Sequence, residues 1–62
     1  MFKPWAEVWE DVDTQTEEPL WYARYETIEG HPHLMRLDAM CRPDALHEVS
    51  SLTEIPENEI QG

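Results

Sequence analysis

Residues 20–28, Leu-Trp-Tyr-Ala-Arg-Tyr-Glu-Thr-Ile, carry the strongest strand pattern in this 62-residue chain and decide its fold class. Aromatic and β-branched residues favour strands, and successive side chains of a strand point to opposite faces. Trp21 and Tyr25 therefore share one face, while Tyr22 lies on the other. We expect Trp21 and Tyr25 to fill a small core together with Val8.

The sequence before this stretch predicts a first strand and a loop. Residues 5–12 alternate in the same way, so that Ala6 and Val8 share one face. Residues 13–19 are polar and acidic and end in a proline, which favours a solvated loop. The two strands are therefore expected to be neighbours joined by an acidic connection.

The sequence after residue 28 predicts a hairpin. Residues 29–32 include Gly30 and a proline, as tight reversals require, and alternation resumes over residues 33–39. Met35 and Leu37 would then point towards the core. This pattern predicts a third strand, antiparallel to the second.

Residues 45–49 allow two interpretations. They fit a short fourth strand, which their length favours, or a helical turn with Pro43 at its first position. Residues 50–55 indicate one helical turn, capped by Ser51 and ended by Pro56.

These segments predict a mainly β protein, a small antiparallel barrel of four to five short strands with one short helical turn near the C-terminus. Such a barrel removes the exposed edges of a sheet within few residues. The expected organisation is a single domain of residues 1–62. We expect its ordered core over about residues 4–56, with the acidic loop at 13–19 and a loose tail at 57–62.

The order of several short motifs resembles the Tudor and related SH3-like barrels. The motifs are Trp21-Tyr22-Ala23, the turn at Gly30, Met35-Arg36-Leu37-Asp38, and His47 to Leu52 before Ile55-Pro56. The resemblance implies an aromatic cage for a methylated lysine or arginine, in which rings attract a cation. The candidate walls are Trp9, Tyr22 and Tyr25. Where the family pattern places a further aromatic after the aspartate, this chain has Ala39.

The charge of the chain indicates the class of its partner. Fourteen Asp and Glu residues against four Lys and Arg residues leave a formal net charge of -10. This density repels nucleic acid and anionic membrane and attracts basic surfaces. We therefore predict a non-enzymatic protein-binding module whose acidic face and exposed aromatics dock on a basic partner protein. The predicted contact residues are Trp5, Glu7, Trp9, Glu10, Asp11, Asp13, Glu17, Glu18 and Tyr22.

Two other functions rest on the same charge and size. A nucleic-acid mimic, of the kind that phages and mobile elements encode, would use its carboxylates to occupy the groove of a DNA- or RNA-binding enzyme. Alternatively, the chain is a small subunit of an oligomer, such as a homodimer, joined by pairing of strand edges.

Catalysis, metal and cofactor binding and membrane insertion are not predicted. A chain of this size rarely holds a catalytic pocket, and Cys41 with His47 is the only nucleophile-base combination. The spacing of His31, His33, Cys41 and His47 matches no strong zinc pattern. No long apolar run is present, so we expect neither an export signal nor a membrane span, and the single cysteine favours the reducing cytoplasm.

Overall fold

The computed structural model describes all 62 residues as a three-stranded antiparallel sheet packed against one helix. The strands follow one another in space in the order β1-β2-β3. The structure contains no helix long and apolar enough to cross a membrane. The elements are β1 (Trp5–Val12), β2 (Pro19–Glu26), β3 (His33–Leu37), α1 (Arg42–Thr53) and a short 3-10 helix (Glu57–Glu59).

The predicted meander of three strands is confirmed. β1 pairs with β2 along its whole length, from Trp5 opposite Glu26 to Val12 opposite Pro19. β2 and β3 form the predicted hairpin, whose turn contains Gly30 with a φ of 83°. Glycine adopts this left-handed conformation without the steric cost of a Cβ atom, so the turn closes where the sequence places it.

One face of the sheet, here called the inner face, supplies the core. Val8, Trp21 and Leu37 are buried on it, as the alternation predicts, and Tyr25 and Met35 pack against them half-buried. The helix and the C-terminal residues cover this face. The ten buried residues are Ala6, Val8, Trp21, Ala23, Leu37, Ala39, Ala45, Val49, Ile55 and Ile60.

Of the two interpretations of residues 45–49, the helical one is confirmed and the fourth strand is wrong, because the segment belongs to α1. Ala45 and Val49 lie four residues apart, one turn of a helix, and both are fully buried against the sheet. Pro43 is accepted because it falls in the first turn, where its missing N–H removes no helical hydrogen bond. A five-residue window is too short to show this period.

The prediction that Ser51 caps a separate helical turn is also wrong. Ser51 lies inside α1, whose N-cap is Cys41. The helix ends at Thr53, and Glu54 adopts a left-handed φ of 62° while its N–H donates to the Ser50 carbonyl at 2.8 Å. The Thr53 hydroxyl donates to the Val49 carbonyl at 2.7 Å, so the last turn is closed by side chain and backbone together.

The sheet is open, in place of the expected barrel of four to five strands. It has three strands, and the residues expected to form a fourth form the helix that covers the inner face. The apolar side chains are therefore buried by packing a helix on the sheet, and the sheet does not have to close into a barrel. The outer face of the sheet and the far edge of β3 remain uncovered.

The C-terminal segment 57–62 packs against β1, although the sequence predicts a loose tail. Ile60 is only 6% exposed, and Gln61 forms a parallel bridge with Glu7. In this bridge the Val8 N–H donates to the Gln61 carbonyl at 2.7 Å, and the Gln61 N–H donates to the Ala6 carbonyl at 3.0 Å. Pairing of the backbone, which a polar composition does not reveal, holds this segment in place.

Candidate protein-binding surface

The outer face of the sheet is a surface of cross-strand pairs that no other element covers. Alternation and register place three aromatic rings on it together with charged and aliphatic side chains. Directly opposite residues on such a face are near enough to interact. The residues of this face are Trp5, Glu7, Trp9 and Asp11 from β1, Leu20, Tyr22, Arg24 and Glu26 from β2, and Leu34 and Arg36 from β3.

At the end of the face where β1 begins, the side chains are paired with one another. The Trp5 indole N–H donates to Glu26 Oε1 at 3.0 Å, and Arg24 Nε lies 3.3 Å from Glu7 Oε1. The Arg24 guanidinium also lies 5.5 Å from the centre of the Trp5 ring. This end of the face therefore mixes both signs of charge, with one guanidinium beside two carboxylates.

Trp9 and Tyr22 form the centre of the outer face. Their rings are stacked, with centroids 6.1 Å apart and planes inclined by 21°. Trp9 is 37% exposed and Tyr22 is half-buried. A partly exposed stack of two large rings is a suitable anchor for a partner, because aromatic side chains contribute most to the energy of many interfaces.

Beyond the stack, the β1-β2 hairpin extends past the helix as an acidic arm, defined here as residues 10–20. It contains no buried residue, and even Val12 is 54% exposed. The molecule is correspondingly elongated, with extents of 42 × 21 × 15 Å. Five of the eleven arm residues are acidic and none is basic, namely Glu10, Asp11, Asp13, Glu17 and Glu18.

The tip of the acidic arm is organised by Asp13. Its N–H donates to the Glu18 carbonyl at 3.0 Å, and its own carbonyl accepts from the Glu17 N–H at 2.7 Å. Its carboxylate accepts from the Gln15 N–H at 2.8 Å, and Glu17 has a left-handed φ of 59°. Side-chain to backbone bonds of this kind define a turn, so the carboxylates at the tip are presented on an ordered loop.

All four Lys and Arg residues lie away from the acidic arm. Lys3 Nζ is 3.3 Å from Glu59 Oε1, and Arg42 Nη2 donates to the Gly62 carbonyl at 2.8 Å. Arg24 pairs with Glu7, and Arg36 lies on the edge strand β3. No Lys or Arg side chain pairs with a carboxylate of the arm, so the negative field of the arm is not compensated by an ion pair.

The predicted contact residues are divided among three places. Trp5, Glu7, Trp9, Asp11 and Tyr22 share the outer face. Asp13, Glu17 and Glu18 lie at the arm tip, and Glu10 points to the inner side, where it is exposed beyond the helix. Sequence reasoning missed Leu20 and Val12, which add apolar surface to the arm. Their positions in the alternating pattern of β1 and β2 could have identified both residues.

The aromatic cage implied by the Tudor resemblance is not assembled. Trp9 and Tyr22 meet, but Tyr25 is three residues from Tyr22 and therefore lies on the opposite face, stacked on His33 with ring centres 5.3 Å apart. Ala39, which stands where the family pattern has an aromatic, is buried in the core. The three rings cannot enclose one cation.

The histidines and Cys41 are also dispersed. No group of three or more His, Cys, Asp and Glu side chains is arranged to hold a metal ion. Cys41 caps the start of α1 and is exposed, while His47 lies within the helix. Six residues of helix separate them by about 9 Å along the axis, which is too far for a base to activate a thiol.

No family model, no curated protein and no solved structure matches this chain.

Proposed function

We propose that this protein is a non-enzymatic binding module whose acidic arm and Trp9-Tyr22 stack dock on a basic surface of a partner protein. The arm sets the direction and rate of approach through its field, and the stack supplies apolar contact. The partner displaces water from the rings while its Lys and Arg side chains meet the carboxylates at the tip.

The observation that carries this proposal is the placement of the charge. The arm has five carboxylates and no base, and it adjoins the one exposed aromatic stack of the outer face. A surface that served only for solubility would mix both signs, as the other end of the outer face does. An ordered, single-sign arm beside an exposed ring pair is typical of a binding surface.

The test compares two variants that carry the same net charge. In the first, all five acids of the arm are changed to their amides. In the second, five acids outside the arm that make no side-chain bond in the structure are changed in the same way. The first set is Glu10, Asp11, Asp13, Glu17 and Glu18, and the second is Glu29, Asp38, Glu48, Glu54 and Glu57.

The parent and both variants are immobilised and exposed to nuclease-treated cell lysate at low and high salt. We expect a set of proteins that the parent and the second variant retain and the arm variant loses. Trp9→Ala should weaken the same contacts by about tenfold, in line with an interface anchor. If both amide variants lose the same bound proteins to the same extent, binding depends only on the net charge of the chain. That result would refute a role for the arm.

A nucleic-acid mimic would use the same surface, and the one-sided charge of the arm also supports it. The two functions differ in competition: a mimic and duplex DNA or RNA would exclude one another from the partner, with a steep dependence on salt. If a retained protein depends on Trp9 and is not displaced by nucleic acid, the result supports the protein-binding module. Displacement by nucleic acid, with little effect of Trp9→Ala, would instead support the function of a nucleic-acid mimic.

A further inference from the structure

One edge of β1 is occupied for half its length and free for the rest. The Val8 N–H and the Ala6 carbonyl bond to Gln61, so even-numbered residues of β1 direct their backbone groups to this edge. Backbone groups alternate in direction along a strand, and Glu10 and Val12 must therefore direct theirs to the same edge. None of the residues 1–62 pairs with this edge of β1 beyond Val8.

The free part of this edge lies within the acidic arm. Neither the N–H nor the carbonyl of Glu10 has a hydrogen-bond partner outside the β1-β2 ladder, whose bonds are made by the odd-numbered residues. The Val12 N–H is bonded by the neighbouring Asp11 carboxylate at 2.8 Å. An unpaired strand edge is a template for another strand, and this one is bordered by carboxylates.

We propose that a basic, extended segment of the partner protein adds to β1 as a strand between Val8 and Val12, continuing the edge that the C-terminal residues begin. This inference rests on the proposed function and specifies the conformation in which the partner segment binds. Backbone bonds to Glu10 supply affinity, and alternate Lys or Arg side chains reach the carboxylates of the arm.

The edge of β3 is free as well, but acids and bases are mixed along it, since Arg36 lies on the strand and Asp38 follows it. By the same alternation, Leu34 and Arg36 direct their backbone groups away from β2. Arg36 lies on this edge and Arg24 on the neighbouring strand, with His33 at the start of β3. The arm carries acids alone, so the charge favours the edge of β1 for a basic segment.

The test uses two ten-residue peptides of equal charge. The first alternates lysine and valine and can form a strand; the second alternates lysine and proline and cannot donate the backbone bonds of a strand. Both are titrated against the full chain, made by chemical synthesis, in three forms. These are unmodified, methylated on the backbone nitrogen of Glu10, and methylated on that of Arg36 as the matched control.

We expect the lysine-valine peptide to bind about tenfold more tightly than the lysine-proline peptide, since one or two backbone bonds are worth that factor. Methylation at Glu10 should remove the difference, and methylation at Arg36 should not. As an independent measurement, the lysine-valine peptide should slow amide exchange at Glu10 of the unmodified chain.

Equal binding of the two peptides to the unmodified chain would overturn the strand proposal while leaving a basic partner intact. A preference abolished by methylation at Arg36 and not at Glu10 would place the strand on β3 and also overturn it. Absence of binding by either peptide at low salt would instead count against the proposed function itself. Unchanged exchange at Glu10 on saturation would contradict strand addition even if methylation disturbs the fold.

Discussion

The inner and outer faces of the same sheet differ in how their side chains are used. On the inner face, Val8 and Trp21 are buried beneath α1 and the C-terminal segment, and no charged group is buried with them. On the outer face, Glu7 meets Arg24 and Trp9 meets Tyr22, and these pairs stay open to water. Both faces arise from the same strands by alternation.

The difference shows how a chain of 62 residues can hold a fold and keep a surface free. Burial of apolar area supplies most of the stability, so the inner face cannot change without loss of the fold. Exposed cross-strand pairs contribute far less, so residues of the outer face and the arm can serve a partner. The following variants measure how complete this division is.

The largest effect is expected from Trp21→Ala. Trp21 is 7% exposed in the core, and truncation of a buried aromatic costs about 3 to 5 kcal/mol, enough to unfold so small a domain. Trp9→Ala on the outer face should cost about 1 kcal/mol. Urea denaturation followed by circular dichroism compares the two, and equal losses would abolish the distinction between the faces.

Trp21→Phe refines that comparison. The Trp21 indole N–H is buried without a hydrogen-bond partner. Phenylalanine keeps a ring and removes this unpaired donor, which offsets part of the lost packing. We expect a loss well below that of Trp21→Ala in the same denaturation experiment. A loss as large as that of Trp21→Ala would show that the shape of the indole, and not aromatic burial alone, is required.

Ile60→Ala tests whether the C-terminal segment belongs to the inner core. Ile60 is 6% exposed, and replacing a buried isoleucine with alanine costs about 2 to 4 kcal/mol. Leu52→Ala is the matched control, because Leu52 is an exposed aliphatic residue and should lose less than about 1 kcal/mol. Thermal melts that are identical for the two variants would mean that residues 57–62 contribute nothing to folding.

Glu26→Ala should have a moderate effect for a residue of the outer face. Its two carboxylate oxygens accept from the Trp5 indole N–H and the Gly30 N–H, tying the start of β1 to the β2-β3 turn. Loss of both bonds should cost about 1 to 2 kcal/mol. Glu29→Ala, in the same turn, removes a carboxylate without a hydrogen bond, and denaturation should leave it within about 0.5 kcal/mol of the parent.

The smallest effect is expected at the Glu7-Arg24 pair. Both side chains are substantially exposed, so a double-mutant cycle of Glu7→Gln and Arg24→Gln should give a coupling of about 0.5 kcal/mol. Added salt should reduce it further. A coupling several times larger would mean that the outer face contributes to stability as the inner face does.

Predictions from sequence succeeded where the signal is local. Residues 5–12 and 20–28 follow a period of two, and Gly30 marks a turn, so the three strands, the faces of Val8 and Trp21 and the hairpin could be predicted. They left residues 45–49 between strand and helix, because α1 has only a weak apolar pattern, in which Ala45 and Val49 are the buried residues. They failed at residues 57–62, which are held by the burial of Ile60 and by a bridge to β1, both of which depend on residues distant in sequence.

By itself, the sequence determined the charge of the chain, the alternation of its strands and the placement of Trp9 and Tyr22 away from the core face, because these follow from composition and a period of two. Only the tertiary structure decided that the sheet stays open, that the acidic arm extends beyond the helix, and that the edge of β1 is free at Glu10. The physical reason is that each depends on which segments cover which surface, and that choice is made by burial between residues far apart in the chain.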